Sequence, residues 1–185
     1  AYSFDDILMV PQYSDIKSRR EVDISSKLDG ERELDFPIIS SPMDTVTELE
    51  MMAAMSDYGG MGVLHRYNTL EEQAEIMSKT KEKGVRFPAA AIGMSDDYME
   101  RAESLVEVGC QVLCVDVAHG HHVMMKQCLE SLRAKFGTNV HIMAGNVATL
   151  EGFEALADWG ADSVRVGIGG GSICSTRIVT GHGVT

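Results

Sequence analysis

Cys174 lies in the run VGIGGGSICSTRIVTG, residues 166–181. A thiol on a glycine-rich loop, flanked by Ser and Thr, is expected at the surface, and an exposed thiol whose thiolate is stabilised is a nucleophile. The glycines permit positive φ. Their successive amides, with the Ser172 hydroxyl, can cradle an anion. Taken alone, the run also reads as a flexible turn after a strand. It is not the dinucleotide fingerprint G-x-G-x-x-G, because Ser172 stands at the third glycine and β-branched residues follow.

Other residues able to do chemistry recur along the chain: Ser41 and Asp44, His65 and Arg66, Asp116, and Asn146. Each falls at or just after the end of a short apolar run. Asn146 reads either as a site residue or as a cap for the next helix, with Thr149 a competitor for that cap. Arg165, inside an apolar run, requires a partner for its charge. Cys110, Cys114 and Cys128 sit among apolar residues and are expected as buried small hydrophobes. No pair of cysteines has zinc spacing, and His119, His121 and His122 share one sharp turn with poor ligand geometry. The twelve methionines are read as packing residues.

The elements that must position these groups alternate regularly. Strand-like runs are FPIISSPM (36–43), GMGVLH (60–65), FPAAAIG (87–93), VLCVDV (112–117), HIMAGNV (141–147) and SVRVGIG (163–169). Between them lie ELEMMAAMSDYG, Leu70 to Lys83, DDYMERAESLVEVG, Val123 to Phe136 and LEGFEALADWG, each with helical periodicity. The runs are continuously apolar rather than alternating, as in parallel strands covered on both faces. Six β and five α units predict an α/β fold. Polar residues after nearly every strand favour a (β/α)8 barrel over an open sheet, which gathers them at one switch point. Only six of eight βα units are present, so residues 1–185 are expected to be a partial barrel domain, a truncated chain or one piece of a longer one.

The formal charge of −12 over 185 residues argues against nucleic acid or an anionic membrane surface as partner. It leaves room for a small phosphorylated ligand held by local amides. No apolar run reaches spanning length and the start does not resemble a signal peptide. The expectation is a cytoplasmic protein with reduced thiols.

Six segments in one order, SFDDILMVP, PIISSPMDTVTE, GGMGVLHR, VDVAHGHH, MAGNVAT and VRVGIGGGSICSTRIVTGHGV, resemble the IMP dehydrogenase and GMP reductase family, whose members are (β/α)8 barrels. The resemblance implies that Cys174 adds to C2 of a purine nucleoside monophosphate, IMP or GMP. Thr176 matches the threonine near that thiol. Ser41 and Met43 match residues lining the purine, and Asn146 and Arg165 match polar residues around it. Ser172 matches the serine on the 5′-phosphate, with amides of Gly169 and Gly171 nearby. Asp116 matches the carboxylate on the nicotinamide ribose of NAD (or NADP), with Gly167 and Gly169 on the cofactor side. The carbonyls of Gly169, Gly171 and Cys174 match a K⁺ site. A homotetramer is implied.

Two signals divide the branches. No module is inserted between residues 84 and 87, as in reductases, whereas SPMDTVTE, AHGH, GNVAT and SICSTRIVTG are worded like bacterial dehydrogenases. The wording favours the dehydrogenase. Gly170 departs from a proline common in bacterial members. A catalytically silent nucleotide-binding piece stays open, and the 185-residue chain alone is expected to be inactive.

Overall fold

The computed structural model describes residues 6–95, 97–171 and 173–184. Its centre is a six-stranded, all-parallel sheet in simple sequential order. The strands are β3 (Ile39–Ser40), β4 (Met61–Leu64), β5 (Ala89–Ile92), β6 (Val112–Asp116), β7 (His141–Val147) and β8 (Ser163–Val166). They alternate with α1 (Leu49–Asp57), α2 (Leu70–Ser78), α3 (Tyr98–Glu107), α4 (Val123–Phe136) and α5 (Leu150–Asp158). Ahead of them, β1 (Ser26–Lys27) and β2 (Glu33–Leu34) form a small antiparallel hairpin. This is the α/β fold of a partial barrel with six βα units.

Both faces of the sheet are buried, and the pleat divides them. Leu64, Ala90, Ile92, Leu113, Val115, Ile142 and Ala144 pack outward against Met52, Met77, Leu105, Leu129, Leu132 and Leu156 of the helices. Met61, Val63, Ala89, Ala91, Val112, Cys114 and Met143 point the other way, forming an inner core capped by Leu28 and Leu34 of the hairpin. Period-two alternation thus exists but separates two apolar environments, which is why the sequence shows continuous runs. A cavity of about 210 Å³ is lined jointly by Ile39, Val63, Met143 and Val164. The sheet therefore curls enough for its edge strands to face one interior. β8 is less covered than its neighbours because it and β3 each pair on one side only.

Local chemistry sets the element ends. The Thr69 hydroxyl accepts the Glu72 N–H while the Glu72 carboxylate accepts the Thr69 N–H, a reciprocal cap that starts α2. The helix expected over 70–83 ends at Ser78, because the Thr80 hydroxyl takes the Met77 carbonyl at 2.6 Å and draws the backbone into turns. The strand expected over 36–43 shortens to Ile39–Ser40, bracketed by Pro37 and Pro42, which have no N–H to give. The hairpin was not visible in the sequence, since two-residue strands are too short to show a period.

The hairpin is pinned beneath the sheet by one carboxylate. Asp29 accepts the N–H groups of Glu31 and Arg32, an Arg32 guanidinium N–H, and His141 Nδ1 at 2.6 Å. The other ring nitrogen of His141 lies 2.7 Å from the Ser163 hydroxyl. A neutral imidazole that donates at Nδ1 and accepts at Nε2 satisfies both contacts. Burial raises the Asp29 pKa, but these hydrogen bonds outweigh it and hold the carboxyl at about 2. Burial also lowers the His141 pKa, more than Asp29 restores it.

Both shifts act in one direction with pH. A His with a depressed folded pKa contributes stability that is present above its ordinary 6.5 and lost as pH falls below it. Asp29 adds a second loss as pH falls from its ordinary 3.8 toward about 2. The thermal midpoint of the wild type is therefore expected to fall as pH drops from 6.5 to 5, and His141→Gln to flatten that limb. Circular-dichroism melts across this range test it; parallel wild-type and variant curves would contradict the assignment.

Candidate active site

At the carboxyl ends of the strands, two adjoining clefts share Met43, Asp116 and Arg165. One, about 310 Å³, is lined by Ser41, Pro42, Met43, Asp44, Tyr67, Asp116 and Arg165. The other, about 280 Å³, adds Asn146, Gly167, Gly169, Cys174 and Thr176, with Val117 and Ile168. One basin therefore gathers nine of the site residues expected from the sequence: Ser41, Met43, Asp116, Asn146, Arg165, Gly167, Gly169, Cys174 and Thr176. Gly171 does not line it; its carbonyl accepts the Cys174 N–H in a tight turn at 3.0 Å. Ser172 lies outside the described residues.

The four thiols show what position does to one functional group. Burial pushes Cys110, Cys114 and Cys128 up to about 12, so they stay protonated and inert. Cys174 alone shifts downward: the Thr176 hydroxyl and then the Thr176 N–H bond its sulfur, and the Arg177 charge adds to them. It is half-buried rather than enclosed. Thr176 begins the short helix α6 (Thr176–Thr180). Gly169, at φ +75°, lets the loop turn where a Cβ would lie 2.6 Å from Arg177 Cγ. The loop thus sets at the basin wall a sulfur whose pKa its neighbours lower.

Arg165 reaches inward from β8 to pair with Asp116 at the end of β6, passing 3.7 Å from Cys114 Sγ. Burial opposes its charge, but Cys114 and Asp116 raise its pKa. Because Cys114 stays protonated, Asp116 is the charge partner at neutral pH. The pairing engages Asp116 Oδ1, and the Asp116 side chain borders both clefts. Asn146 does not cap a helix: its amide donates to the Gly167 carbonyl at 2.8 Å, and Thr149 caps α5.

Three contributors escaped the sequence reading. Tyr67 lines the basin, but a lone exposed Tyr carries no pattern. Thr47 is fully buried and holds the Ser41 loop through its hydroxyl, which contacts Ser40 Oγ at 2.9 Å and the Ser41 carbonyl at 2.6 Å. Gly145 gives Arg165 room, since a Cβ there would lie 2.6 Å from Arg165 Cβ. Its position inside a strand, where glycine marks a close approach, was the available signal. Among the described residues no group of three His, Cys, Asp or Glu is arranged to hold a metal.

A family model described as the IMP dehydrogenase / GMP reductase domain matches residues 1–185. The chain belongs to that family. It is 36% identical to an inosine-5′-monophosphate dehydrogenase of Cryptosporidium parvum, over 98% of this chain and 55% of that protein. It is 35% identical to a GMP reductase of Vibrio atlanticus, over 97% of this chain and 53% of that protein. An inosine-5′-monophosphate dehydrogenase of Nitrosopumilus maritimus is 27% identical, over 98% and 64%. The chain spans between about half and two thirds of the length of these relatives.

Two outcomes are expected at the site. Thr176→Val removes the hydroxyl that favours the thiolate, so alkylation of Cys174 by iodoacetamide at pH 7 slows roughly threefold and its pH midpoint rises. Peptide mass spectrometry reads the rate, and the three buried cysteines serve as unreactive controls in the folded protein. Gly145→Ala drives a methyl into Arg165 and costs about 2 kcal/mol by overpacking; a denaturant titration with an unchanged midpoint would count against that placement.

Proposed function

We propose that the protein from which this chain comes is an oxidoreductase acting at C2 of a purine nucleoside monophosphate, with IMP dehydrogenation the best-supported reaction. The observation that carries this reading is Cys174: it alone among the four thiols has a lowered pKa, and it borders a basin lined by Asp116, Arg165 and Asn146. Thiolate suits the chemistry because it must attack a ring carbon and later depart, and it does both better than an alkoxide. The sulfur adds to C2, hydride leaves C2 for the cofactor, and water cleaves the resulting thioimidate to XMP and free thiol.

The chain's own residues supply position and charge. Thr176 stabilises the thiolate before attack and takes back hydrogen-bonding duty when the sulfur is released. Ser41 and Met43 border the purine, with Asn146 and Arg165 across from them. Ser172 and the Gly169–Gly171 amides are assigned to the 5′-phosphate. Asp116, with Gly167 and Gly169 alongside, would hold the nicotinamide ribose of NAD, which would supply the hydride acceptor. The carbonyls of Gly169, Gly171 and Cys174 are assigned to K⁺, which would order the loop; Gly171 would share its carbonyl with the Cys174 N–H.

One observation favours the reductive direction, GMP with NADPH to IMP and ammonia. The Vibrio GMP reductase aligns over 186 positions, nearly this chain's own length, whereas the Nitrosopumilus dehydrogenase needs 305. The dehydrogenase therefore carries extra positions inside the matched span. The wording of the site segments still favours dehydrogenation, since such an insertion can be absent without altering the chemistry.

The test is covalent. On incubation with 6-chloro-IMP, the peptide bearing Cys174 is expected to gain the mass of the nucleotide, and Cys174→Ala to abolish the gain. Protein that binds the nucleotide yet leaves Cys174 unmodified would sink the proposal. With the complete protein, NADH formed from IMP and NAD, against NADPH consumed with GMP, separates the two directions.

A further inference from the structure

The contact that pins the hairpin also lines up three groups in the order of a proton relay. Asp29, in the turn between β1 and β2, meets His141 Nδ1 at 2.6 Å, and His141 Nε2 meets the Ser163 hydroxyl at 2.7 Å. His141 opens β7 and Ser163 opens β8. With the imidazole neutral and its proton on Nδ1, Nε2 is an acceptor and the hydroxyl donates to it. A serine whose proton points at a base, itself oriented by a carboxylate, is the arrangement that activates an alcohol oxygen. None of the three residues borders the strand-end basin.

Base and carboxylate are fixed, while the serine stays open. The His141 side chain is only 1% exposed, and Asp29 is held by the N–H groups of Glu31 and Arg32. Asp162 clamps the start of β8 to β7. Its carboxylate accepts the Ile142 N–H at 2.7 Å and an Arg133 N–H at 2.7 Å, and its own N–H donates to the Ile142 carbonyl at 2.8 Å. Ser163, the next residue, is thereby set opposite His141, yet it is only half-buried. A proton arriving on Nε2 makes an imidazolium that the charges of Asp29 and Asp162 favour and that of Arg32 opposes.

The cavity beside Ser163 selects the ligand. It measures about 210 Å³, and its walls are mostly apolar, from Leu28, Ile39, Val63, Met143 and Val164. Arg165 is the one charged residue among the described ones that line it. Apolar walls suit a hydrocarbon chain, and a cation suits a carbonyl oxygen that gains negative charge on attack. We propose that Ser163 is a nucleophile that takes the acyl group of an ester with a short apolar chain, with His141 as its base and Asp29 as the residue that positions His141. Ser163 Oγ bonds to the carbonyl carbon as the ester C–O bond breaks. The hydroxyl proton passes to His141 Nε2 and from there to the departing alcohol. Water, deprotonated by the same nitrogen, then releases the carboxylic acid and restores the serine, with nothing oxidised or reduced. The step uses no group of the Cys174 loop and does not depend on the proposed function.

The test uses the complete protein carrying Cys174→Ala, so that the exposed thiol does not compete, with p-nitrophenyl butyrate and a butyl fluorophosphonate. A burst of one equivalent of p-nitrophenolate is expected, with the butyryl or phosphonyl mass on the peptide bearing Ser163. Ser163→Ala abolishes both. His141→Gln and Asp29→Asn slow the burst roughly a hundredfold, on proteins whose melts show them folded at the assay temperature. Ser40 and Ser41 border the same cavity but bond no histidine among the described residues, and they stay unlabelled. Ser163→Ala, which removes a single oxygen, decides the matter if the other two variants unfold. The proposal fails if Ser163 of the parent takes neither probe, if Ser163→Ala keeps the burst, or if folded His141→Gln is labelled at the parent's rate. A serine that only braces the hairpin would lower the melt of Ser163→Ala and leave the parent unlabelled.

Discussion

Burial of the sheet on both faces is the constraint from which the site follows. A parallel strand enclosed between helices and an inner core has nowhere to place a polar side chain along its length, apart from a few fully partnered ones. Chemistry is driven to the strand ends, and sequential parallel order brings all those ends to one rim. Ser41, Tyr67, Asp116, Asn146 and Cys174 come from separate parts of the chain yet border one basin because six strands terminate together. Helices α1 to α5 line neither cleft; among the described residues only Thr176, at the start of α6, brings a helix to the basin.

The same enclosure decides what each ionisable group becomes. Cys114 and Cys174 are the same functional group, but inside the sheet burial forbids the thiolate, while on the loop hydrogen bonds from Thr176 favour it. Arg165 shows the intermediate case. It runs through the inner face and survives there only because Asp116 meets it at the rim and Gly145 leaves space for it. Removing one member of such a pair leaves the other charge stranded, which costs more than the pair gains over an apolar substitute. The pair is thus a positional device: it ties β8 to the end of β6 at the edge of the basin.

Much of this was written in local pattern. Continuous apolar runs separated by helical periodicity announced parallel strands, and the polar residues after nearly every run announced the rim, because both consequences are confined to a few adjacent residues. The buried fate of Cys110, Cys114 and Cys128 followed from their neighbours for the same reason. The hairpin under the sheet did not, since its stability comes from Asp29 meeting His141, 112 positions away in the chain. Likewise Arg165 announced only that it needed a partner; that the partner is Asp116, another residue assigned to the site, depends on strand register. Asn146 was ambiguous between cap and site because an Asn after a strand satisfies either description until the Thr149 hydroxyl is seen to take the cap.

Charge distribution reconciles an acidic chain with phosphorylated ligands. The excess carboxylates lie largely on the outer helices, where Glu50, Glu75 and Glu103 meet lysines in exposed pairs worth little individually. At solvent-exposed separations beyond about 10 Å their repulsion is screened at ordinary salt, so the global sign scarcely reaches the basin. What an anion meets there is local. On one side is the glycine-rich loop, with successive amides and the Arg177 charge close to the sulfur. On the other is Tyr67, with the Arg66 guanidinium lying over its ring. A net charge of −12 and the anionic ligand proposed for the rim are compatible because the first is a property of the helical shell and the second of the strand ends.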